Sequence, residues 1–408
     1  MSTTSPDGSD GVKGRVLILV ENLSVPFDRR VWKEARALVH AGYRVTVICP
    51  RGKESDTAPF EEIEGVRIHR FVPYEATGGA ASYILEYGVA MLKMAWGAAR
   101  ARMREGFDVI HLCNPPDTLI LIALPFRLFG ARVLFDQHDL APDLFLEQRG
   151  QDAKGLLYRA LLFFERLTYR WAHRVITVNE SCRRIVMERG GVPPERVGVV
   201  RNGLERSAVA PLRFTPLACA GPPFDLVYVG MMGPQDGVDV LLRVARHLRE
   251  IRGESDFHVR IIGTGTALPS LQEYARELEV DSLVTFMGRL PHAEVLRAID
   301  TASVCVCPDP KTPMNDKASM IKVVEYMAKA KPVVAFELDE VRLMAGDAAV
   351  FAPPGDEKAF AECIHRLLDD ARLREDIGKR ARDRVLDGLT WEHAEGVLLN
   401  VYAELMRG

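Results

Sequence analysis

Lys322 and Glu325 stand three residues apart in the run Ser319-Met320-Ile321-Lys322-Val323-Val324-Glu325. At helical spacing such a pair shares one face. Ser319 is suited to cap the helix, and the N–H groups at a helix start attract an anion such as a diphosphate. Lys322 would add a full positive charge there, beside the amides of Met320 and Ile321. From Ser319 to Glu325 the axial distance is roughly 9 Å at ~1.5 Å per residue. That suits a carboxylate accepting two ribose hydroxyls while the helix start holds the phosphates. The same spacing also describes an ordinary amphipathic helix whose Lys322 and Glu325 form a solvated pair.

Other chemistry-bearing residues fall at the ends of apolar runs. His138 follows Val133 to Asp136 and is flanked by Gln137 and Asp139. Asn114 and Asp117 follow the run Asp108 to Leu112. Polar clusters on two successive strand ends argue for one cleft wall. Arg29 and Arg30 open a helix after the first strand, where they could face a phosphate or form a plain surface pair. Arg201 is a further candidate cation. There is no D-x-D and no His/Cys/carboxylate spacing suited to a catalytic metal, so no metal or other cofactor is expected. There is also no G-x-G-x-x-G, which argues against a dehydrogenase.

These residues need elements to hold them. Arg15 to Glu21 reads as a first strand, Arg29 to Ala41 as a helix stopped by Gly42, and Tyr43 to Cys49 as a second strand. Asp225 to Gly230 starts a second unit of the same kind, and its loop Met231 to Gly237 opens another helix. Ala302 to Cys307 is a buried strand, broken by Pro308, Pro310 and Pro313. The helix after Ser319 is expected to run to about Lys331, because Pro332 cannot continue it. Ser181 is read as the cap of an earlier helix. The pattern predicts an α/β protein of two Rossmann-like domains.

The 408 residues carry a net charge of −3, so nothing points to a nucleic-acid partner. No apolar run reaches the ~18 residues of a membrane span. Seven scattered cysteines without C-x-x-C spacing suit reduced thiols in a cytoplasmic protein. The long helix Tyr83 to Arg104 has an apolar stripe and basic residues towards its end. It reads as a packed helix, with peripheral contact to a membrane as the second reading.

The helix around Glu325 resembles the donor-sugar helix of the retaining GT-B glycosyltransferases of family 4. Their mark is a Glu, seven residues, a second Glu, then a small-residue turn and Pro-Val-Val. Glu325 matches the second Glu, and Lys331-Pro332-Val333-Val334 the tail. Lys317 occupies the first Glu position, with Asp316 beside it as a substitute. Ser319 and Lys322 match a bacterial subgroup in which Ser-x-x-Lys precedes the second Glu. His138 falls where the family keeps an active-site His, Asn114 on its other strand-tip loop, and Asn202-Gly203 just before the second domain. Arg289 and Leu290 follow its base-pocket segment, and Gly233 and Gly263 fall on donor-side loops. The Arg and Lys that many relatives use on the donor diphosphate correspond to Met231 and Asp236 here.

The resemblance implies a GT-B fold with a deep interdomain cleft. The polar stretch over 1–14 reads from its composition as a disordered leader. After it, the resemblance implies an acceptor-side domain over 15–205 and a nucleotide-sugar domain over 206–388. A final helix over 389–408 crosses back to the first domain. The implied activity is metal-independent retaining transfer of a hexosyl or N-acetylhexosaminyl group from a nucleotide-sugar, with a UDP-sugar favoured. The acceptor is a glycan, a lipid-linked species or a small metabolite, and oligomeric state is left open. The implied place is the cytoplasm, at most peripheral to the inner face of a membrane. The alternatives are a GT-B epimerase or hydrolase using the same donor, and a non-catalytic sugar-nucleotide binding protein.

Overall fold

Runs of Val, Ile and Leu with both faces apolar make strands buried on both sides, the condition of a parallel sheet covered by helices. The computed structural model describes residues 11–53, 55–74, 80–150, 152–209 and 222–407. Most of the expected leader and most of the expected linker over 207–223 lie outside these residues. Contacts divide the chain into two units, one of residues 1–201 with 394–408 and one of residues 202–393.

In the first unit the order is β1 (Gly14–Val20), α1 (Arg29–His40), β2 (Tyr43–Pro50), β3 (Phe60–Ile63), β4 (Val66–Phe71) and α2 (Ala80–Arg104). It continues with β5 (Val109–Cys113), α3 (Ile120–Leu128), β6 (Arg132–Gln137), α4 (Ala141–Arg149), α5 (Leu156–Trp171), β7 (Arg174–Thr177), α6 (Glu180–Gly190) and β8 (Val197–Val199). The sheet runs β3-β4-β2-β1-β5-β6-β7-β8. Only β3 is antiparallel to its neighbour. The chain reverses its direction of growth at β1, so the crevice between β1 and β5 is the switch point where such sheets bind ligands. The cap of α6 is Asn179, whose side chain accepts from the Cys182 amide at 2.7 Å, and not Ser181.

The second unit opens with α7 (Arg206–Val209), β9 (Phe224–Val229), α8 (Val238–Arg252), β10 (Phe257–Ile262), α9 (Leu268–Glu277), β11 (Val284–Gly288) and α10 (His292–Thr301). It continues with β12 (Val304–Cys307), α11 (Ile321–Ala328), β13 (Val333–Phe336), α12 (Asp339–Ala345), β14 (Val350–Ala352), α13 (Glu357–Asp369) and α14 (Ala371–Gly388). Its sheet is wholly parallel, in the order β11-β10-β9-β12-β13-β14. The switch point here lies between β9 and β12. The last helix, α15 (Trp391–Arg407), begins in this unit, and from Ala394 onward packs with the first. The division falls at 201/202 because Leu204 pairs with Thr390 and its carbonyl accepts the Trp391 amide at 2.8 Å, inside the second unit.

The α11 helix differs from expectation at both ends. It starts at Ile321, with Met320 rather than Ser319 in the N-cap position, and Met320 makes no side-chain capping bond. It stops at Ala328, before Pro332 acts. Lys329 N–H is shared between the Glu325 and Tyr326 carbonyls, and Ala330 takes the left-handed conformation at φ 52°. That residue ends the helix from within.

Candidate functional site

In the second unit, the loops after β9 and β12 meet at the switch point. Gly237 has φ 69°, and a Cβ there would stand 2.2 Å from the Pro308 carbonyl oxygen, so only glycine fits. Asn315 Nδ2 donates to the Gln235 and Pro310 carbonyls at 2.9 and 3.0 Å, tying the two loops together. Gly263 has φ 139°, and a Cβ there would lie 1.8 Å from the Gly230 carbonyl oxygen, so the tips of β9 and β10 touch backbone to backbone. The carboxylate of Asp236 accepts the Gly233 amide at 2.8 Å. It thereby shapes its own loop, and burial raises its pKa.

Lys322 sits in the first turn of α11 and is nearly buried. Its ammonium lies 2.7 and 2.9 Å from the two oxygens of buried Asp309, and 4.7 Å from the centre of the Tyr228 ring. Burial alone would lower its pKa. The surrounding Cys307, Asp309 and Tyr228 outweigh that and hold it above the usual lysine value. Burial raises the Cys307 thiol and the Tyr228 phenol as well. The expected pair of Lys322 and Glu325 is therefore not the solvated one. Lys322 answers to Asp309, while Glu325 is half-buried one turn on. Met320 is buried and Ile321 exposed at the helix start. Asp316 is built into the loop, with Oδ1 accepting the Asp339 amide at 2.7 Å and facing Lys311 at 3.2 Å. One of its two carboxylate oxygens is thus spent within the loop. Arg289 is exposed and Leu290 half-buried just after β11.

The first unit builds a denser cluster around Asp136, at the end of β6. Arg30 donates to both of its oxygens, Nε at 3.0 Å and Nη2 at 2.6 Å, and Nη1 donates to the Val200 carbonyl at 2.6 Å. His138 Nε2 lies 2.5 Å from Asp136 Oδ2. Burial works against the ionised carboxyl, yet Arg30 and His138 hold its pKa well below the usual range. An ionised Asp136 can only accept, so His138 carries its proton on Nε2, and Nδ1 is the other ring nitrogen. Glu34, 3.2 Å from Arg30, is pushed well above the usual carboxyl range by burial and by the Asp136 charge. His111 Nδ1 meets the Tyr402 hydroxyl of α15 at 2.8 Å, and burial lowers its pKa.

Arg29 and Arg30 part ways. Arg29 is exposed, whereas Arg30 is consumed by Asp136, Glu34 and Val200. The amides at the start of α1 are taken too, because Asp28 accepts from Arg30 N and Val31 N. The expectation that Arg30 faces a phosphate is thus overturned by its own buried carboxylate.

Asn114 uses its whole side-chain amide locally. Its Oδ1 accepts the His138 and Asp139 amides at 2.6 and 3.1 Å, and its Nδ2 donates to Asp117 Oδ1 and to the Asp139 carbonyl at 2.9 and 2.7 Å. It is a clamp for the His138 loop. Asp117 is buried behind it, and burial raises its pKa to about 7. Asp139 is also raised by burial. Arg201 and Asn202 are half-buried and Gly203 is buried.

Among the described residues one group of metal-ligating side chains converges, His111 with Cys113 and Asp136. It does not fit a cation. Asp136 is already claimed by Arg30 and His138, and burial holds the Cys113 thiol protonated. Asp136 and Asp309 are the residues the sequence reading passed over. Each is a carboxylate at the tip of an apolar strand, which was signal enough. Tyr402, some 290 positions from His111, gave none.

Residues 28–203 match the family model described as Glycosyl transferase 4-like domain, and residues 223–370 match Glycosyl transferases group 1. A glycogen synthase of Mycobacterium tuberculosis is 25% identical over 398 residues, covering 93% of this chain and 91% of its own. A sucrose-phosphate synthase structure from Thermosynechococcus elongatus superposes with a TM-score of 0.75 at 18% identity, over 96% of this chain and 99% of its own. Anabaena Alr3699/HepE, solved in complex with UDP, gives 0.70 at 14% identity over 96% and 100%.

Proposed function

From the premise that this chain is a GT-B glycosyltransferase, we propose that it moves a sugar from a nucleotide-sugar donor to an acceptor hydroxyl, with retention of anomeric configuration and without a catalytic metal. The observation that carries the reading is the start of α11. A nearly buried lysine stands there in the first turn of a helix whose N-cap residue makes no side-chain bond, with Glu325 one turn on. Such a helix start suits a diphosphate, and the glutamate suits a ribose. The UDP and UDP-glucose named with HepE support a UDP-sugar as donor. A hexosyl or N-acetylhexosaminyl group is the proposed cargo, and a glycan, a lipid-linked species or a small metabolite the acceptor. Its proposed place is the cytoplasm.

In the proposed step the bond from the anomeric carbon to the diphosphate breaks. The departing phosphate takes the acceptor's proton, and the acceptor oxygen bonds to the anomeric carbon on the same face. Charge that builds on the diphosphate is met by the α11 amides and Lys322. His138, its ring fixed by Asp136, is assigned to a hydroxyl of the donor sugar through Nδ1. That contact positions the ring and needs no proton transfer.

A second reading has its own observation. The Lys322 charge is already matched by Asp309, and the loop after β9 carries Met231 and Asp236 in place of cations. A protein that binds the donor and never turns over fits that. The deciding experiment is a binding panel of UDP-, GDP- and dTDP-sugars, followed by turnover and product anomer with the best binder. Transfer with retention supports the first reading. Tight binding with no release of nucleotide supports the second. Release without an acceptor marks a hydrolase or epimerase.

A further inference from the structure

The α2 helix carries a surface that the fold leaves uncovered. Leu85, Leu92, Trp96 and Met103 fall within ~20° of one line along it, at ~100° per residue. They form a stripe ~27 Å long. Leu92, Trp96 and Met103 are 73%, 65% and 80% exposed. The inward face is Ala90, Met94 and Ala98, all buried, so the stripe is the outer side of a helix already anchored.

The two flanks of the stripe differ. Lys93, Arg100 and Arg104 lie ~60–100° to one side. Glu86 lies on that side too, ~100° from the line, towards the start of the helix. The other acids there, Glu62 and Glu105, are each matched by Arg67, at 3.5 and 3.0 Å. The Arg100 guanidinium lies 5.3 Å from the centre of the Trp96 ring. On the other flank Gly88 and Ala95 border an open apolar groove of about 950 Å³ shared with Leu121, Ile122 and Pro125 of α3. Further along α2, Arg102 donates to the Phe129 carbonyl at 3.2 Å. Leu128 and Phe129 stand there 79% and 76% exposed.

We propose that α2 and the α2–α3 groove dock this chain onto an anionic lipid bilayer. Charge decides the occupant. The chain as a whole is −3, yet this face carries three basic side chains beside an apolar stripe with a tryptophan on it. That combination matches acyl chains under a negative headgroup layer. A second copy of the chain matches it poorly. A two-fold pairing of the stripe would set the basic flank, three bases to the one acid Glu86, against its own copy or against the apolar groove. The contact is one of surface, since no helix of the described residues is long and apolar enough to cross a membrane. It holds whatever the donor proves to be.

Flotation of the full chain with vesicles of equimolar phosphatidylcholine and phosphatidylglycerol tests this, against vesicles of phosphatidylcholine alone. The expected result is association with the anionic vesicles, weakened by salt, and little with the neutral ones. Leu92→Ser with Trp96→Ser should weaken it by at least ~tenfold. Reversing Lys93, Arg100 and Arg104 to Glu should weaken it by at least ~fivefold per charge. Absence of association, equal association with neutral vesicles, or unchanged association in both variants overturns the proposal. So does a concentration-dependent dimer in sedimentation that the Leu92/Trp96 variant disperses, which would give the face to a second copy.

Discussion

At the carboxyl edge of its sheet, each unit buries one cation against one carboxylate: Arg30 on Asp136 in the first, Lys322 on Asp309 in the second. The pairs look alike and are finished differently. Arg30 spends its planar fork on both oxygens of Asp136 and on the Val200 carbonyl, and the helix it belongs to is capped by Asp28. The guanidinium and the Arg30 and Val31 amides are thereby engaged, and the pair serves to fix the ring of His138. Lys322 is a compact charge on a flexible stem, and the N-cap residue of its helix, Met320, makes no side-chain bond. A buried ion pair therefore says little about binding until the adjoining helix amides have been accounted for.

The comparison breaks most visibly at Arg30. Arg30→Met leaves Asp136 without its cation beside a second buried acid, and should cost about 3–5 kcal/mol in denaturant unfolding. Lys322→Met leaves only Asp309 uncompensated and should cost less. Adding Asp309→Asn to it should recover part of the loss. A larger loss at Lys322 than at Arg30 would reverse the ranking of the two clusters.

A second difference is pH. The folded-state pKa of Asp117 is raised from the usual 3.8 to about 7, so the native state keeps a proton that the unfolded chain gives up. Its contribution is whole below about pH 4 and is lost as pH rises to about 7, by up to ~4 kcal/mol. Asp117→Asn cannot titrate there. The stability of the parent relative to this variant should fall across that window in chemical denaturation. A flat difference from pH 4 to pH 8 would show that the carboxyl is not held neutral by burial.

Much of this was legible beforehand. Apolar runs ending in polar loops marked both sheets, and the positions of His138 just past a strand and Lys322 in the first turn of a helix came from the same signal. Partnerships across the fold were not legible. Arg30 reads as a helix-start cation until β6 brings Asp136 beside it, 106 residues later. Lys322 reads as a free charge until the strand tip at Asp309 folds over it. The N-cap position was misplaced by a residue or two at Ser319 and Ser181, because the exact start of a helix is set by the loop that enters it. In α6 Asn179 holds that position, two residues earlier.

The catalytic half of the account rests on His138. His138→Ala should turn over at least ~10²-fold more slowly, about 2.7 kcal/mol, since a positioning contact is lost from the transition state. Asp136→Asn, which frees the ring without removing it, should lower kcat more than it raises KM, provided that the variant folds. Near-normal turnover in His138→Ala would remove the first unit from the chemistry.

The most direct measurement is calorimetric titration of UDP into the parent, Glu325→Ala and His138→Ala. Division of labour between the units predicts parent-like affinity in His138→Ala. It predicts a loss of roughly tenfold or more in Glu325→Ala, as expected for a charge-assisted hydrogen bond of ~1.5–3 kcal/mol. Equal losses in the two variants, or unchanged binding in Glu325→Ala, would contradict the assignment of the nucleotide to α11.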